Sequence, residues 1–394
     1  MSAKRIMLVA AEPSGDVLGA GLADALRERL GEDLELIGVG GPMMATRGVA
    51  SPFDIRALSV LGVFEAIAAY PLVRRRARET GAMAASRRPD VAVLIDSWGF
   101  TLRVAAAIRR MDPTIPIIKY VAPQVWATRP GRAKTLARAV DELLTIHAFD
   151  SAYFDRVGLK TRFVGNPVLA KDISGADPGR LRAQIGARDG EPILLVLPGS
   201  RRGEIERMTP PFRSATERLA RDRPDLHVVV AAAEAVETLV EERCAGWAAR
   251  VHIVRGEAAR FDAMKAATVA LACSGTVTTE LAMCGCPMVI AYRLGPMTYP
   301  IVKLLLRTPY IALINVAVGR FVAPERLQGD CNGETLARDL AERLDDPTLR
   351  STQIAAQNAA LEIMRGGLTD PLGAAADAII RHLTNSQSRV SSGV

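Results

Sequence analysis

Four stretches of this chain combine side chains and turns suited to chemistry. In the first, Ser274-Gly275-Thr276 turns the apolar run Thr268–Ala272 into a helical stretch, which Gly285 stops before Pro287. Without bulky side chains, such a turn lets an anion reach the N–H groups at the positive end of a helix. Glu280, four residues after Thr276, shares its helix face and suits a sugar hydroxyl at the same mouth. The segment equally suits a plain strand–turn–helix connection with Ser274 as N-cap. The second stretch, Pro198-Gly199-Ser200-Arg201-Arg202-Gly203-Glu204, follows the apolar run Ile193–Leu197. Small residues beside arginine make a phosphate cradle, because a guanidinium binds two oxygens at once. The third is Val91–Ile95, an unbroken apolar run ending in Asp96. A carboxylate at the end of a buried strand is costly unless paired or used, so catalysis is its expected use, with helix capping as the alternative. The fourth, Ala11-Glu12-Pro13-Ser14-Gly15-Asp16, follows Ile6–Ala10 and brings Glu12, Ser14 and Asp16 to the same kind of edge. Asp16 also suits a helix cap.

These residues need strands that end together and helices that begin there. Thr268–Ala272, the helix after it and Met288–Tyr292 read as one β-α-β unit of a parallel sheet. Ile6–Ala10, a helix from about Val17 to Leu30, and Leu34–Val39 make another. Further strands are predicted at Val91–Ile95, Ile115–Val121, Glu142–Ile146 and Phe163–Val164, then at Ile193–Leu197, Leu226–Ala233 and Val251–Val254. The loops at the carboxyl edge are where open α/β sheets take ligands. Long helices near Gln353–Met364 and Leu372–Leu383 close the pattern. With 394 residues, two domains are expected: 1–170, then a Gly/Pro/Asp-rich passage over 171–192, then 193–365. A polar tail over 385–394 is expected to be disordered.

The formal charge of +7 favours anionic partners, while 5% aromatic content and dispersed basic residues argue against a nucleic-acid module. The five cysteines are scattered and the four histidines isolated, so neither a disulfide framework nor a metal site is expected. No run approaches the roughly 20 apolar residues of a membrane span, and no cleavable signal follows Met1–Arg5, so a cytoplasmic location is expected. The apolar stretch Val60–Tyr70, which includes Val63 and Phe64, precedes Arg74, Arg75, Arg76 and Arg78. That combination suits an anionic bilayer surface, and also an ordinary amphipathic helix with a solvated charged face.

Glu12-x-Ser14-Gly15-Asp16, Ile95-Asp96, Val121-x-Pro123-x-Val125-Trp126-Ala127-x-Arg129 and Leu197-Pro198-Gly199-Ser200-Arg201 stand in a distinctive order. Followed by Ser274-Gly275-Thr276 with Glu280, Cys286-Pro287-Met288-Val289 and Tyr292-Arg293, they resemble the lipid-A-disaccharide synthase family from Ile6 to about Leu383. The resemblance implies a GT-B fold: two Rossmann-like parallel-sheet domains facing a cleft, acceptor largely in the first and UDP-sugar in the second, with a C-terminal helix (366–384) crossing back to the first. It implies transfer from UDP-2,3-diacylglucosamine to the 6-hydroxyl of 2,3-diacylglucosamine 1-phosphate with inversion, releasing UDP, without metal or cofactor, on the cytoplasmic face of the inner membrane. Ser200, Arg201, Ser274, Gly275 and Thr276 would contact the donor diphosphate, Glu280 its ribose, and Asn315 and Gln328 the same side. Asp96 is the favoured base and Glu12 its competitor; Ser14, Asp16, Trp126 and Arg129 would line the acceptor cleft. The helix bearing Arg74–Arg78 would lie on lipid, or on a second copy in a homodimer. The chain departs from the family pattern at Ala11 and Pro13, at Trp98-Gly99-Phe100-Thr101, at Thr128 and at Ile314. Two alternatives use the same elements: another GT-B enzyme such as a UDP-N-acetylglucosamine 2-epimerase, and a two-domain solute-binding protein without chemistry.

Overall fold

The computed structural model describes residues 3–58, 63–128, 130–295, 298–306 and 308–391, with side chains undescribed at 63–68, 298, 300–301 and 384–391. The chain forms two compact units, residues 1–167 with 366–394, and residues 168–365.

The first unit is a six-stranded sheet: β1 (Lys4–Val9), β2 (Leu34–Val39), β3 (Val91–Ile95), β4 (Ile117–Tyr120), β5 (Glu142–Thr145) and β6 (Lys160–Phe163). Its order is β2-β1-β3-β4-β5-β6 and every pairing is parallel. Strands covered on both faces must be apolar throughout, which is why β3 is buried at all five positions. Four helices matter for the site: α1 (Pro13–Leu30), α2 (Pro42–Ala45), α3 (Val63–Arg87) and α4 (Trp98–Met111). Because the order reverses between β1 and β3, the loops after these two strands flank the switch point, the crevice where such sheets hold ligands. Those loops carry Glu12 and Asp96.

The C-terminal helix Pro371–Ser391 belongs to this unit and packs on α1, burying Ala375, Ala376 and Ile379. Arg29 ties it down through Asp377 at 2.5 Å and Asp370 at 3.3 Å. His382 Nε2 lies 2.7 Å from the buried carboxylate of Glu142, which Lys160 and Arg162 also hold at 2.8 and 3.1 Å. Burial raises the Glu142 pKa, but the bonds from His382, Lys160 and Arg162 outweigh it and bring it to about 2. A carboxylate depressed on folding stabilises above its unfolded pKa and loses that contribution as pH falls through the folded one. Urea unfolding should therefore show stability lost between about pH 4.5 and pH 2, with a flatter loss in Glu142→Gln; equal slopes would contradict the network's role.

The second unit contains β7 (Ile193–Leu197), β8 (His227–Ala232), β9 (Val251–Arg255), β10 (Val269–Cys273), β11 (Met288–Tyr292) and β12 (Glu325–Leu327). The order β12-β11-β10-β7-β8-β9, all parallel, is the dinucleotide-fold order, with its switch point between β7 and β10. The loops there are Pro198–Arg201 and Ser274–Thr276. Cys273 Sγ donates to the Pro198 carbonyl at 3.0 Å and joins their bases.

Three expectations are corrected. Residues 171–192 are no passage between domains, because helix Pro178–Ile185 inserts Leu181 and Ile185 into the second core. Helix α1 starts at Pro13 rather than Val17, since proline is well suited to the first helical position. The final helix continues to Ser391 where disorder was expected from 385. Among the described residues, no helix is long and apolar enough to cross a membrane.

Candidate active site

At the first switch point, β3 ends in two consecutive residues with left-handed backbone, Asp96 (φ 46) and Ser97 (φ 43). Each costs a non-glycine residue about 1–2 kcal/mol, so the pair persists only where its surroundings hold it. They do. The Asp96 N–H donates to the Tyr120 carbonyl at 2.9 Å, and the Thr101 N–H to the Ser97 carbonyl at 3.0 Å. The Thr101 hydroxyl lies 2.9 Å from both the Asp96 and Ser97 carbonyl oxygens. Thr101 thus fastens the turn that carries Asp96. The Asp96 side chain is half-buried.

Beneath this turn lies Lys119, 3% exposed, whose ammonium donates to the Asp96 carbonyl oxygen and, at 3.0 Å, to the Thr101 hydroxyl. Burial drives its pKa down to about 7, while the charges of Asp96 and Glu12 pull the other way. Sequence reasoning passed over Lys119. Its signal was a lone charge inside the apolar strand Ile117–Tyr120.

Glu12 is the N-cap residue of α1, extended (φ −135, ψ 153) and half-buried, without a side-chain cap bond. Ser14 is exposed in the first turn of α1. Asp16 points elsewhere: 3% exposed, it accepts the N–H groups of Gly41, Met43 and Met44 at 2.7, 2.9 and 3.0 Å. It caps α2, a segment 25 residues away, and is absorbed by structure. Trp126 is likewise buried, edge-on to Phe149 at 5.8 Å. Its indole N–H faces Asp150 without a well-aligned hydrogen bond, and burial pushes that carboxyl up to about 8 against the pull of Trp126. Arg129 lies outside the described residues.

In the second unit, helix Arg202–Asp222 starts at the cradle expected from the sequence, but its first turn is already occupied. Glu204, 7% exposed, accepts the Ser200 N–H at 3.0 Å, faces Arg201 Nη1 at 3.3 Å and accepts the Tyr292 hydroxyl at 3.2 Å. A β-carbon on Gly199 (φ 122) would sit 2.7 Å from Glu204, so this tight turn requires glycine. The Ser200 amide is therefore engaged, whereas the Arg201 side chain stays 57% exposed.

The other turn is open. Gly275 and Thr276 are exposed at the start of helix Thr276–Met283, and a β-carbon at Gly275 would meet nothing within 4 Å. The first amides of a helix have no intrahelical acceptor, which makes this turn the better anion site. Ser274 Oγ donates to the Ile311 carbonyl at 3.4 Å. Glu280 is paired with Arg260 at 3.3 Å and Lys171 at 3.6 Å, and both cations lie over the Phe261 ring. These partners, 20 and 109 positions away in sequence, were not legible from spacing. Asn315 is fully buried and spent: Oδ1 accepts from Val322 and Ala323 at 2.7 and 3.1 Å, and Nδ2 donates to the Ala323 carbonyl and Glu325 at 2.9 and 2.7 Å. All four of its hydrogen-bonding positions are used, leaving none for a ligand. Gln328 is half-buried with φ 51, and its carbonyl accepts from Arg293 at 3.3 Å.

On α3, Arg74, Arg75 and Arg78 are exposed, while Arg76 bonds Glu79 at 2.7 Å and stacks over Phe53 at 4.7 Å. The side chains of Val63 and Phe64 lie outside the described residues.

A family model described as lipid-A-disaccharide synthetase matches residues 6–368. The lipid-A-disaccharide synthase of Rhodospirillum centenum is 39% identical over 379 residues, spanning 96% of this chain and 94% of its own length. That of Paramagnetospirillum magneticum is 41% identical over 377 residues, spanning 95% and 96%. Among solved structures, a UDP co-structure of S. aureus MnaA matches with a TM-score of 0.64 at 15% identity, over 98% of this chain and 97% of that one. A UDP-GlcNAc 2-epimerase from Neisseria meningitidis, bound to UDP-GlcNAc, matches with a TM-score of 0.58 at 12% identity, over 97% and 100%. These structural likenesses establish a shared GT-B-like fold.

Proposed function

The chain belongs to the lipid-A-disaccharide synthase family, and from that premise we propose how its two units divide the glycosyl transfer. It is a glycosyltransferase of lipid A biosynthesis. The proposed donor is UDP-2,3-diacylglucosamine and the proposed acceptor 2,3-diacylglucosamine 1-phosphate. Asp96 takes the proton of the acceptor 6-hydroxyl. The freed oxygen bonds to the donor anomeric carbon from the face opposite UDP, and UDP leaves with the electron pair of the broken C–O bond. Inversion gives a β-1,6 linkage. In the second unit, Arg201 and the amides of Gly275 and Thr276 meet the diphosphate and stabilise the charge growing on departing UDP. Glu280, steadied by Arg260 and Lys171, accepts the ribose hydroxyls. Asn315 acts behind that surface, holding the segment between Ala312 and Glu325.

One observation supports this division above the others. Each sheet has a switch point, and the two are furnished for opposite halves of the reaction: carboxylates at the first, arginine and an open helix start at the second. The epimerase alternative shares the fold at 12–15% identity, whereas relatives at 39–41% identity are disaccharide synthases. Mass analysis of the products after incubation with both acylated sugars, with proton NMR of the recovered donor to read the configuration at C2, tests the reading. A disaccharide 1-phosphate is expected, whereas 2-epimerised donor with no coupling would overturn it.

The proposed lipid substrates support a working position at a bilayer, on the cytoplasmic face of the inner membrane. The exposed arginines of α3, beside half-exposed Tyr70, support that reading. Co-sedimentation with phosphatidylglycerol vesicles should weaken in Arg74→Ser/Arg75→Ser/Arg78→Ser. Unchanged binding would remove α3 from the interface.

A further inference from the structure

Lys119 has no role in the transfer described so far, yet the first unit has gone to some expense to keep it. Its neighbours on adjacent strands, Leu94 and Leu143, are fully buried leucines, and β4 is otherwise Ile117, Ile118 and Tyr120. A buried ammonium is unfavourable by several kcal/mol unless its surroundings compensate, and an apolar residue would pack here without that penalty. What the ammonium reaches is specific. It donates to the carbonyl of Asp96 itself and to the hydroxyl that also braces Ser97. Both carboxylates at the switch point, Asp96 and Glu12, act on it electrostatically. Two successive left-handed residues, the proposed base on the first of them, and a buried cation under both form one assembly.

We propose that Lys119 is a positioning residue of the glycosyl transfer: its ammonium fastens the Asp96–Ser97 turn from below and supplies the positive charge that Asp96 and Glu12 face. The inference rests on the reading of Asp96 as the base. The turn presents the carboxylate; Lys119 keeps the turn from relaxing toward an ordinary backbone, which would swing the carboxylate away from the acceptor hydroxyl. Misplacement of a catalytic group by about 1 Å can cost about 10²-fold in rate. The charged form is the working one. With a folded pKa near 7, the ammonium is present below neutrality and lost as pH rises through about 7, so kcat acquires an alkaline limb there.

The stability consequence has the opposite sign to the catalytic one. A lysine whose pKa falls from 10.5 to about 7 on folding destabilises the folded state fully below about pH 7, and the penalty is relieved as pH rises from there to 10.5. Lys119→Met removes both the charge and the penalty.

The test compares wild type, Lys119→Met and Lys119→Arg in UDP release from the two acylated sugars across pH 5.5 to 9, about the range the titration needs, alongside thermal unfolding. In Lys119→Met, kcat should fall about 10- to 100-fold with acceptor KM nearly unchanged, the alkaline limb should vanish, and Tm at neutral pH should hold or rise. Lys119→Arg keeps a charge that does not titrate in this range, so it should recover part of kcat without the limb. An active wild type whose kcat and limb survive in Lys119→Met would overturn the proposal. So would equal losses of kcat and Tm in both variants, which would mark a structural role alone. A wild type that transfers nothing would instead sink the function on which the proposal rests.

Discussion

Asp96→Asn is expected to lower kcat by about 10²–10⁴-fold, the usual contribution of a general base, while leaving the fold and donor binding intact. Asparagine is the informative substitution. Position 96 has φ 46, and among non-glycine residues asparagine and aspartate tolerate this region best. Alanine there would relax the turn and confuse a lost base with a displaced backbone. The isosteric amide keeps the turn and the Tyr120 and Lys119 contacts to the residue 96 backbone, and removes the carboxylate's proton-accepting power together with the negative charge that faces Lys119. The competing assignment separates cleanly. Glu12 sits at the start of α1 across the same switch point, so Glu12→Gln should leave kcat within a few-fold if Asp96 is the base. A collapse in Glu12→Gln with turnover retained in Asp96→Asn would exchange their roles.

The second large effect is expected at Arg201. Arg201→Met should lower kcat by about 10²–10³-fold and raise the donor KM if, as proposed, the guanidinium meets the charge that grows as the diphosphate departs. The fold should hardly notice. Its side chain is 57% exposed and its ion pair with Glu204 is 3.3 Å long, so the stability change should stay within about 0.5 kcal/mol. Kinetics of the variant with UDP as inhibitor check the assignment. A weaker UDP inhibition constant is expected; normal inhibition with normal kcat would leave the diphosphate to the Ser274–Thr276 turn alone.

The sheet strands were legible because parallel strands covered on both faces must be runs of apolar residues, and Val91–Ile95, Ile193–Leu197 and Met288–Tyr292 are such runs. The turns at the carboxyl ends of β3, β7 and β10 could be picked out for the same reason: the apolar run stops at Asp96, Pro198 or Ser274. What those residues bond to was another matter. Asp16 looked available because its true partners, the amides of Gly41, Met43 and Met44, belong to a helix start 25 residues on. The resemblance casts Asn315 as a ligand-side residue, yet its amide is wholly enclosed by partners that stand seven to ten residues further along the chain. Ser200 seemed an open donor until Glu204, three residues into the helix, reached back to it. Residues 171–192 had the composition of a linker, although Leu181 and Ile185, four apart, are the two anchors of a short helix. Lys119 was hidden by the strength of the strand signal around it.

The central claim is that Asp96 deprotonates the acceptor in a transfer that releases UDP. Its most direct test is a single-turnover measurement with enzyme in excess over UDP-2,3-diacylglucosamine, with and without 2,3-diacylglucosamine 1-phosphate, in wild type and Asp96→Asn. The account predicts rapid UDP release in wild type only when acceptor is present, and a rate reduced about 10²–10⁴-fold in a variant that still binds donor. UDP released at the same rate without acceptor, or an undiminished rate in Asp96→Asn, would contradict it.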